Sequence, residues 1–142
     1  MKHGPDRGGP TVGELMSSEP ITIDARAPLA DAARLLDEFE ISGLPVVDDA
    51  GMLVGVLSDT DLVRARVTEH LWKDWPGLSV RHLMSDAVLT ARRETSASEA
   101  ASLMEEAHVH RLIVVGEDER SPIGVISTSD IVRGMLEEAA DG

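Results

Sequence analysis

The feature that most constrains this chain is that it repeats itself. Val12, Leu15-Met16-Ser17 and Thr22 recur 68 positions later as Val80, Leu83-Met84-Ser85 and Thr90. Ala32-Ala33, Leu35 and Glu38 return at the same offset as Ala100-Ala101, Leu103 and Glu106, and Leu44, Val46 and Val47 return as Leu112, Val114 and Val115. One extra residue then shifts the offset to 69, so that Gly55-Val56, Ser58, Asp61 and Val63-Arg64 reappear as Gly124-Val125, Ser127, Asp130 and Val132-Arg133. Two copies of one supersecondary unit are present, each too small to bury its own apolar faces, so they are expected to pack together.

Each copy has the same order of elements. A short apolar strand (20–23; 88–91) precedes an amphipathic helix starting near Pro28 and near Ser96. Its apolar positions, Leu29, Ala32, Ala33 and Leu36, repeat as Ala97, Ala100, Ala101 and Met104 at i, i+3, i+4 and i+7. Pro28 suits a first helical turn, where its missing N–H is harmless. Two β-branched runs joined by a turn follow (44–47 and 52–57; 112–115 and 123–126), a hairpin pattern. A last helix opens at Ser58 and at Ser127. The unit is β-α-β-β-α, preceded in each copy by a short helical turn (11–16; 79–84). The expected division is a disordered tail over 1–10, a first domain over 11–66, a connector over 67–78, a second domain over 79–138 and a tail over 139–142. Trp72 and Trp75 in the connector either plug a gap or form an exposed aromatic patch for a partner.

Composition excludes several functions. Lys plus Arg total 13 against 26 Asp plus Glu, a formal charge of −13, and no basic stripe is visible. Such a chain repels nucleic acid and anionic membranes. There are no cysteines, hence no disulfide, thiolate nucleophile or Cys-based zinc site. No apolar run approaches the length of a membrane span, and residues 1–10 lack the apolar core of a signal peptide. A cytoplasmic protein is expected. His108 and His110 alternate as two residues on a strand would, but two ligands do not make a metal site. Asp59 and Asp61 have no nucleophile beside a base, so no enzyme is expected.

Gly55-Val56-Leu57-Ser58-Asp59-Thr60-Asp61 and Gly124-Val125-Ile126-Ser127-Thr128-Ser129-Asp130 share a Ser-x-x-Asp where a strand becomes a helix. One reading is a capping box, the serine accepting from a backbone N–H while the aspartate folds back or complements the helix dipole. The other uses the same place for a ligand. A helix N-terminus attracts phosphate, and a carboxylate in its first turn can accept ribose hydroxyls, as an acidic residue does in dinucleotide-binding folds.

These two motifs resemble the tandem CBS-domain family, named after cystathionine β-synthase. So do Ile41-Ser42-Gly43-Leu44-Pro45-Val46-Val47-Asp48 and Val109-His110-Arg111-Leu112-Ile113-Val114-Val115, and the Leu-Met-Ser ahead of each first strand. The resemblance covers about residues 11 to 138 and implies an α/β fold, a CBS-domain pair of two β-α-β-β-α repeats about a pseudo-two-fold axis with helices outside. It implies clefts between the repeats that take AMP, ADP, ATP or S-adenosylmethionine, with no cofactor required and no catalytic chemistry. One site would combine Ile21, Thr22, Ile41 and Gly43 with Ser127, Ser129 and Asp130. The other would combine Leu89, Thr90, Val109 and Arg111 with Ser58, Thr60 and Asp61. Ile21, Ile41, Leu89 and Val109 suit plain core equally well. His110-Arg111 resembles a basic pair used on ligand phosphates. The sequence shows no flanking enzyme or transporter, which points to a standalone pair of the bacterial or archaeal type with an effector protein elsewhere. A homodimer is expected, from the small apolar surface of the helices carrying Ala32, Ala33 and Leu36. The rival to ligand sensing is a ligand-free dimerisation scaffold.

Overall fold

The computed structural model describes residues 9–141. Chain contacts divide it into two units, one formed by Ile21–Val88 and the other by the residues up to Pro20 with those from Leu89 onward.

In the first of these, β2 (Ile23–Asp24), β3 (Gly43–Val47) and β4 (Leu53–Ser58) form a sheet in the order β2-β3-β4. The β2–β3 pair is parallel, bridged by α2 (Leu29–Glu38), and β3–β4 is an antiparallel hairpin. Pro28 has extended backbone angles and is the cap of α2 rather than its first helical residue. Burial of Leu29, Ala32 and Leu36 on one face of α2 docks it on the sheet core of Ile23, Leu44, Val46 and Leu57. The hairpin turn is built on Asp48, whose Oδ1 accepts from the N–H groups of Ala50 at 2.9 Å and Met52 at 3.0 Å. Gly51 there has φ +79, a left-handed conformation that glycine adopts without strain.

The other unit repeats this with β5 (Thr90–Arg92), α5 (Ala97–Ala107), β6 (Arg111–Val115) and β7 (Pro122–Ser127). Ser96 caps α5, its Oγ accepting from Glu99 N–H at 3.0 Å. Ala97, Ala100 and Met104 face the core of Leu112, Val114 and Ile126. The two hairpins have equivalent registers. Gly43 pairs with Ser58 and Val46 with Gly55 in one, Arg111 with Ser127 and Val114 with Gly124 in the other, and each has one register shift before its final pair. Asp118 holds the second hairpin turn. The Ser121 hydroxyl, then the N–H groups of Arg120 and Ser121, bring its carboxyl down to about 2.

The boundaries differ from expectation where each copy begins. The turn α1 (Val12–Leu15) and strand β1 (Ser17–Ser18) precede the first repeat in sequence but pack on the second. Val12 N–H donates to Thr95 O at 2.8 Å and Gly13 N–H to Arg93 O at 2.9 Å. β1 adds antiparallel to β7, giving a four-stranded sheet in the order β1-β7-β6-β5. Reciprocally, the 3-10 turn Val80–His82 docks on the first repeat, Val80 N–H donating to Ala27 O at 2.8 Å and Arg81 N–H to Ala25 O at 2.9 Å. Both docking sites have the same hydrogen-bonding pattern, so the repeat alone cannot say which copy each turn joins.

Three further expectations change. Of the tail expected over 1–10, residues 1–8 lie outside the described residues, and Pro10 is held to the second repeat, its O accepting from Ala97 N–H at 3.0 Å. Of the tail expected over 139–142, the described residues are helical, α6 (Thr128–Asp141) continuing through Ala139 and Ala140, the best helix formers. The connector is also structured. α3 (Asp59–Val67) is followed by α4 (Glu69–Asp74) and a 3-10 turn, Trp75–Gly77. Trp75 packs on the first-repeat core, and Trp72 stacks on it with ring centroids 5.6 Å apart. Arg66 covers Trp72 at 4.3 Å. One indole plugs a gap; the other is the exposed aromatic.

Candidate functional site

The Ser-x-x-Asp motifs fold as capping boxes, and they do so identically. Ser58 and Ser127 end β4 and β7 and precede the first residues of α3 and α6. Asp61 Oδ2 accepts from Ser58 N–H at 2.8 Å and from Ser58 Oγ at 3.0 Å, and Asp61 N–H returns to Ser58 Oγ at 3.3 Å. Asp130 and Ser127 repeat the three distances, 2.8, 3.0 and 3.3 Å. Both carboxylates are 8% exposed, buried by their own motif. The first-turn N–H groups are also engaged. Asp59 N–H donates to Ser42 O and Thr128 N–H to His110 O, each at 2.9 Å. Those bonds tie each helix start to the loop before β3 or β6, and they leave less of the helix N-terminus for a phosphate than the motif alone suggested.

What remains for a ligand is the second carboxylate oxygen. Asp61 Oδ1 lies 3.3 Å from Arg64 Nη1, and Asp130 Oδ1 lies 2.9 Å from Arg133 Nη2. The two arginines were not singled out from the sequence, although the repeated Val-Arg three residues after each Asp carried the signal. A carboxylate oxygen has about two acceptor directions, so each Oδ1 keeps one beside its arginine.

The other predicted residues lie on the strands and loops of each unit. Gly43 opens β3 opposite Ser58, and Ile21, Thr22 and Ile41 are half-buried, with both isoleucines against the first-repeat core. Thr60 is exposed, its hydroxyl 2.7 Å from Ser58 Oγ. In the other unit Arg111 opens β6 opposite Ser127, Ser129 is exposed, and Thr90 opens β5. Val109 packs on the core, whereas Leu89 is 40% exposed and so is not core. His108 and His110 are not strand neighbours. His108 ends α5 in a left-handed conformation (φ 55, ψ 44) and His110 precedes β6. Among the described residues no group of three or more His, Asp or Glu could hold a metal ion. Val109 and His110 line a groove of about 480 Å³ together with Met104, Thr128, Ile131 and Val132, within the size range of small-molecule sites.

Two similar units, each with a capped Ser-x-x-Asp at a strand-to-helix junction, make up a tandem module built from one duplicated unit. The chain belongs to the CBS-domain family: the CBS domain model matches residues 12–68 and again 80–137. It is a tandem CBS pair with a mixed α/β fold. It is 32% identical to the chloroplastic CBS domain-containing protein CBSX2 of Arabidopsis thaliana over 92% of this chain and 65% of that protein. The crystal structure of CBSX2 in complex with AMP aligns at TM-score 0.80 and 33% identity, covering 92% of this chain and 99% of that one. The CBS domain pair of protein MJ0100, in complex with 5′-methylthioadenosine and S-adenosyl-L-methionine, aligns at TM-score 0.79 and 26% identity over 90% and 97%. Inosine-5′-monophosphate dehydrogenase of Helicobacter pylori is 36% identical over 80% of this chain, which spans only 22% of that enzyme. No helix among the described residues is long and apolar enough to cross a membrane.

Proposed function

We propose that this chain is a regulatory module that senses an adenosine nucleotide or a related adenosyl compound and is not itself an enzyme. The observation that carries the reading is the duplicated Ser-x-x-Asp, in which each buried carboxylate keeps an acceptor direction on Oδ1 for a ribose hydroxyl. The ligands held by CBSX2 and the MJ0100 pair support the adenosyl class. In this reading Asp61 and Asp130 accept the ribose, with Ser58, Thr60, Ser127 and Ser129 around them. Ile21, Thr22, Ile41, Gly43, Leu89, Thr90 and Val109 line the base, and His110 and Arg111 meet phosphate. In this reading the protein acts in the cytoplasm through an effector protein.

A thermal-shift series with AMP, ADP, ATP, S-adenosylmethionine and NAD tests this. A ligand at about 100 times its Kd stabilises the folded state by about 2.7 kcal/mol, a clear rise in Tm. No shift with any of them at millimolar concentration would leave the ligand-free scaffold as the better reading. Mass spectrometry of small molecules co-purifying with the chain names the ligand directly.

A homodimer belongs to the same proposal. Ala32, Leu36, Ala100 and Met104 are consumed in the cores of their own units. Most of the exposed large apolar residues lie on α6 and α3, with Val132 at 55%, Met135 at 61% and Leu136 at 67% on α6 and Val63 and Val67 on α3, while Phe39, Trp72 and Leu89 lie elsewhere. The stripe at i, i+3 and i+4 is the pattern of a helix awaiting a partner. Sedimentation at tens of micromolar is expected to show a dimer, and Met135→Glu with Leu136→Glu to give a folded monomer. A monomeric wild-type chain under those conditions would refute the dimer.

A further inference from the structure

The two capping carboxylates differ in what their arginines do next. In the motif of the second repeat, Oδ2 of Asp130 is saturated by the two bonds from Ser127. Oδ1 accepts one N–H of Arg133 Nη2 at 2.9 Å, and the same Nη2 donates to the carbonyl of Leu15 at 2.8 Å. Leu15 ends α1, where helix carbonyls lack partners within the helix. Its side chain lies so close to α6 that a Cβ on Gly134 would stand 2.7 Å from Leu15 Cδ1. One guanidinium nitrogen thus ties the carboxylate to the chain's opening segment. The first repeat lacks this tie. Arg64 reaches Asp61 only as an ion pair at 3.3 Å, its helix has Ala65 where the other has Gly134, and among the described residues no hydrogen bond joins Arg64 to the Leu83 carbonyl.

A vicinal diol brings two O–H donors, and Asp130 has one open acceptor direction. We propose that Arg133 is a latch: full grip of a ribose diol by Asp130 displaces Nη2 from Oδ1 and loosens its hold on Leu15, so ligand binding and docking of residues 11–18 oppose each other. The inference rests on the adenosyl reading above and adds its regulation. Arg133 is a positioning residue, since it acts through Asp130. In the first repeat the carboxylate grips a diol without moving an opening segment. Binding at Asp130 alone therefore changes the conformation of the chain's start.

The test uses adenosine, a neutral ligand with a vicinal diol, and 2′-deoxyadenosine, which lacks the 2′-hydroxyl. Arg133 is half-exposed, so its pairing with Asp130 is modest, and Arg133→Ala is expected to tighten adenosine about 3- to 5-fold. Binding of 2′-deoxyadenosine is expected to stay within about 2-fold, because a single hydroxyl needs no displacement. Arg64→Ala is expected to leave the exchange of residues 11–18 unchanged. In the wild-type chain, saturating adenosine should speed hydrogen exchange at the amides of Val12, Gly13 and Met16, which bond to Thr95 O, Arg93 O and Val12 O. This measurement needs no variant and decides the matter even if Arg133→Ala misfolds. Adenosine binding without faster exchange there, or bound equally by wild type and Arg133→Ala, would overturn the latch and leave the adenosyl reading standing. Failure of the wild-type chain to bind adenosine, AMP or S-adenosylmethionine would overturn both.

Discussion

Arg111→Ala is expected to weaken AMP about 10- to 100-fold while leaving adenosine within about 2-fold, a loss of about 1.5–3 kcal/mol for one charge-assisted hydrogen bond. In a chain of net charge −13, an anionic ligand needs local positive charge. The repeats differ here: Ser42-Gly43 in the first corresponds to His110-Arg111 in the second. Gly43 and Arg111 hold the same register position, opposite Ser58 and opposite Ser127. Only one of the two positions can therefore supply a cation, and one strong and one weak phosphate-bearing site per chain are expected. Calorimetry with both ligands decides. Two equivalent AMP sites, or equal losses for AMP and adenosine, would end the idea.

Gly124→Ala is expected to destabilise the second-repeat unit by about 1–3 kcal/mol, the cost of forcing atoms into a filled contact. A Cβ there would stand 2.7 Å from Met16 Sδ and 2.7 Å from Ser17 O. The methionine can swing away, but the carbonyl belongs to the β1–β7 pair and can move only if the opening segment shifts. That segment buries Val12 at 0% and Leu15 at 3% exposure. Gly77 has nothing within 4 Å of its would-be Cβ, so Gly77→Ala serves as the control and should change stability by at most about 0.5 kcal/mol. Denaturant unfolding measures the difference, and limited proteolysis near residue 18 reads the loosened segment. Equal midpoints for the two variants would show that β1 accommodates the methyl group.

Much of the candidate site was legible because its residues are local. Ser and Asp three apart at a strand end form a capping box from backbone geometry alone, and the structure repeats it in both copies with the same distances of 2.8 and 3.0 Å. The arginines were overlooked because i,i+3 pairing on an exposed helix face is ordinary. Only the bond from Arg133 to Leu15, 118 residues away in sequence, distinguishes one arginine from the other. The helix ends were equally hidden. Glu40 and His108 take left-handed conformations, φ 51 and 55, which histidine visits more often than most residues but which glutamate gives no sign of.

The sequence by itself determined the repeat, the β-α-β-β-α order, the helix and hairpin positions and the pair of Ser-x-x-Asp motifs. The repeat follows from the 68-residue offset, and the others from periodicity, turn chemistry or spacing within about a dozen residues. The tertiary structure alone decided which repeat each opening turn joins. Thr95 O and Ala27 O are equivalent acceptors for Val12 and Val80, and a 68-residue period makes both dockings look the same from the chain. It also decided that Ala32 and Leu36 belong to a unit's own core while Val132, Met135 and Leu136 face outward. Burial of an amphipathic face depends on the area its neighbours offer, and that area is fixed only once the sheets have formed.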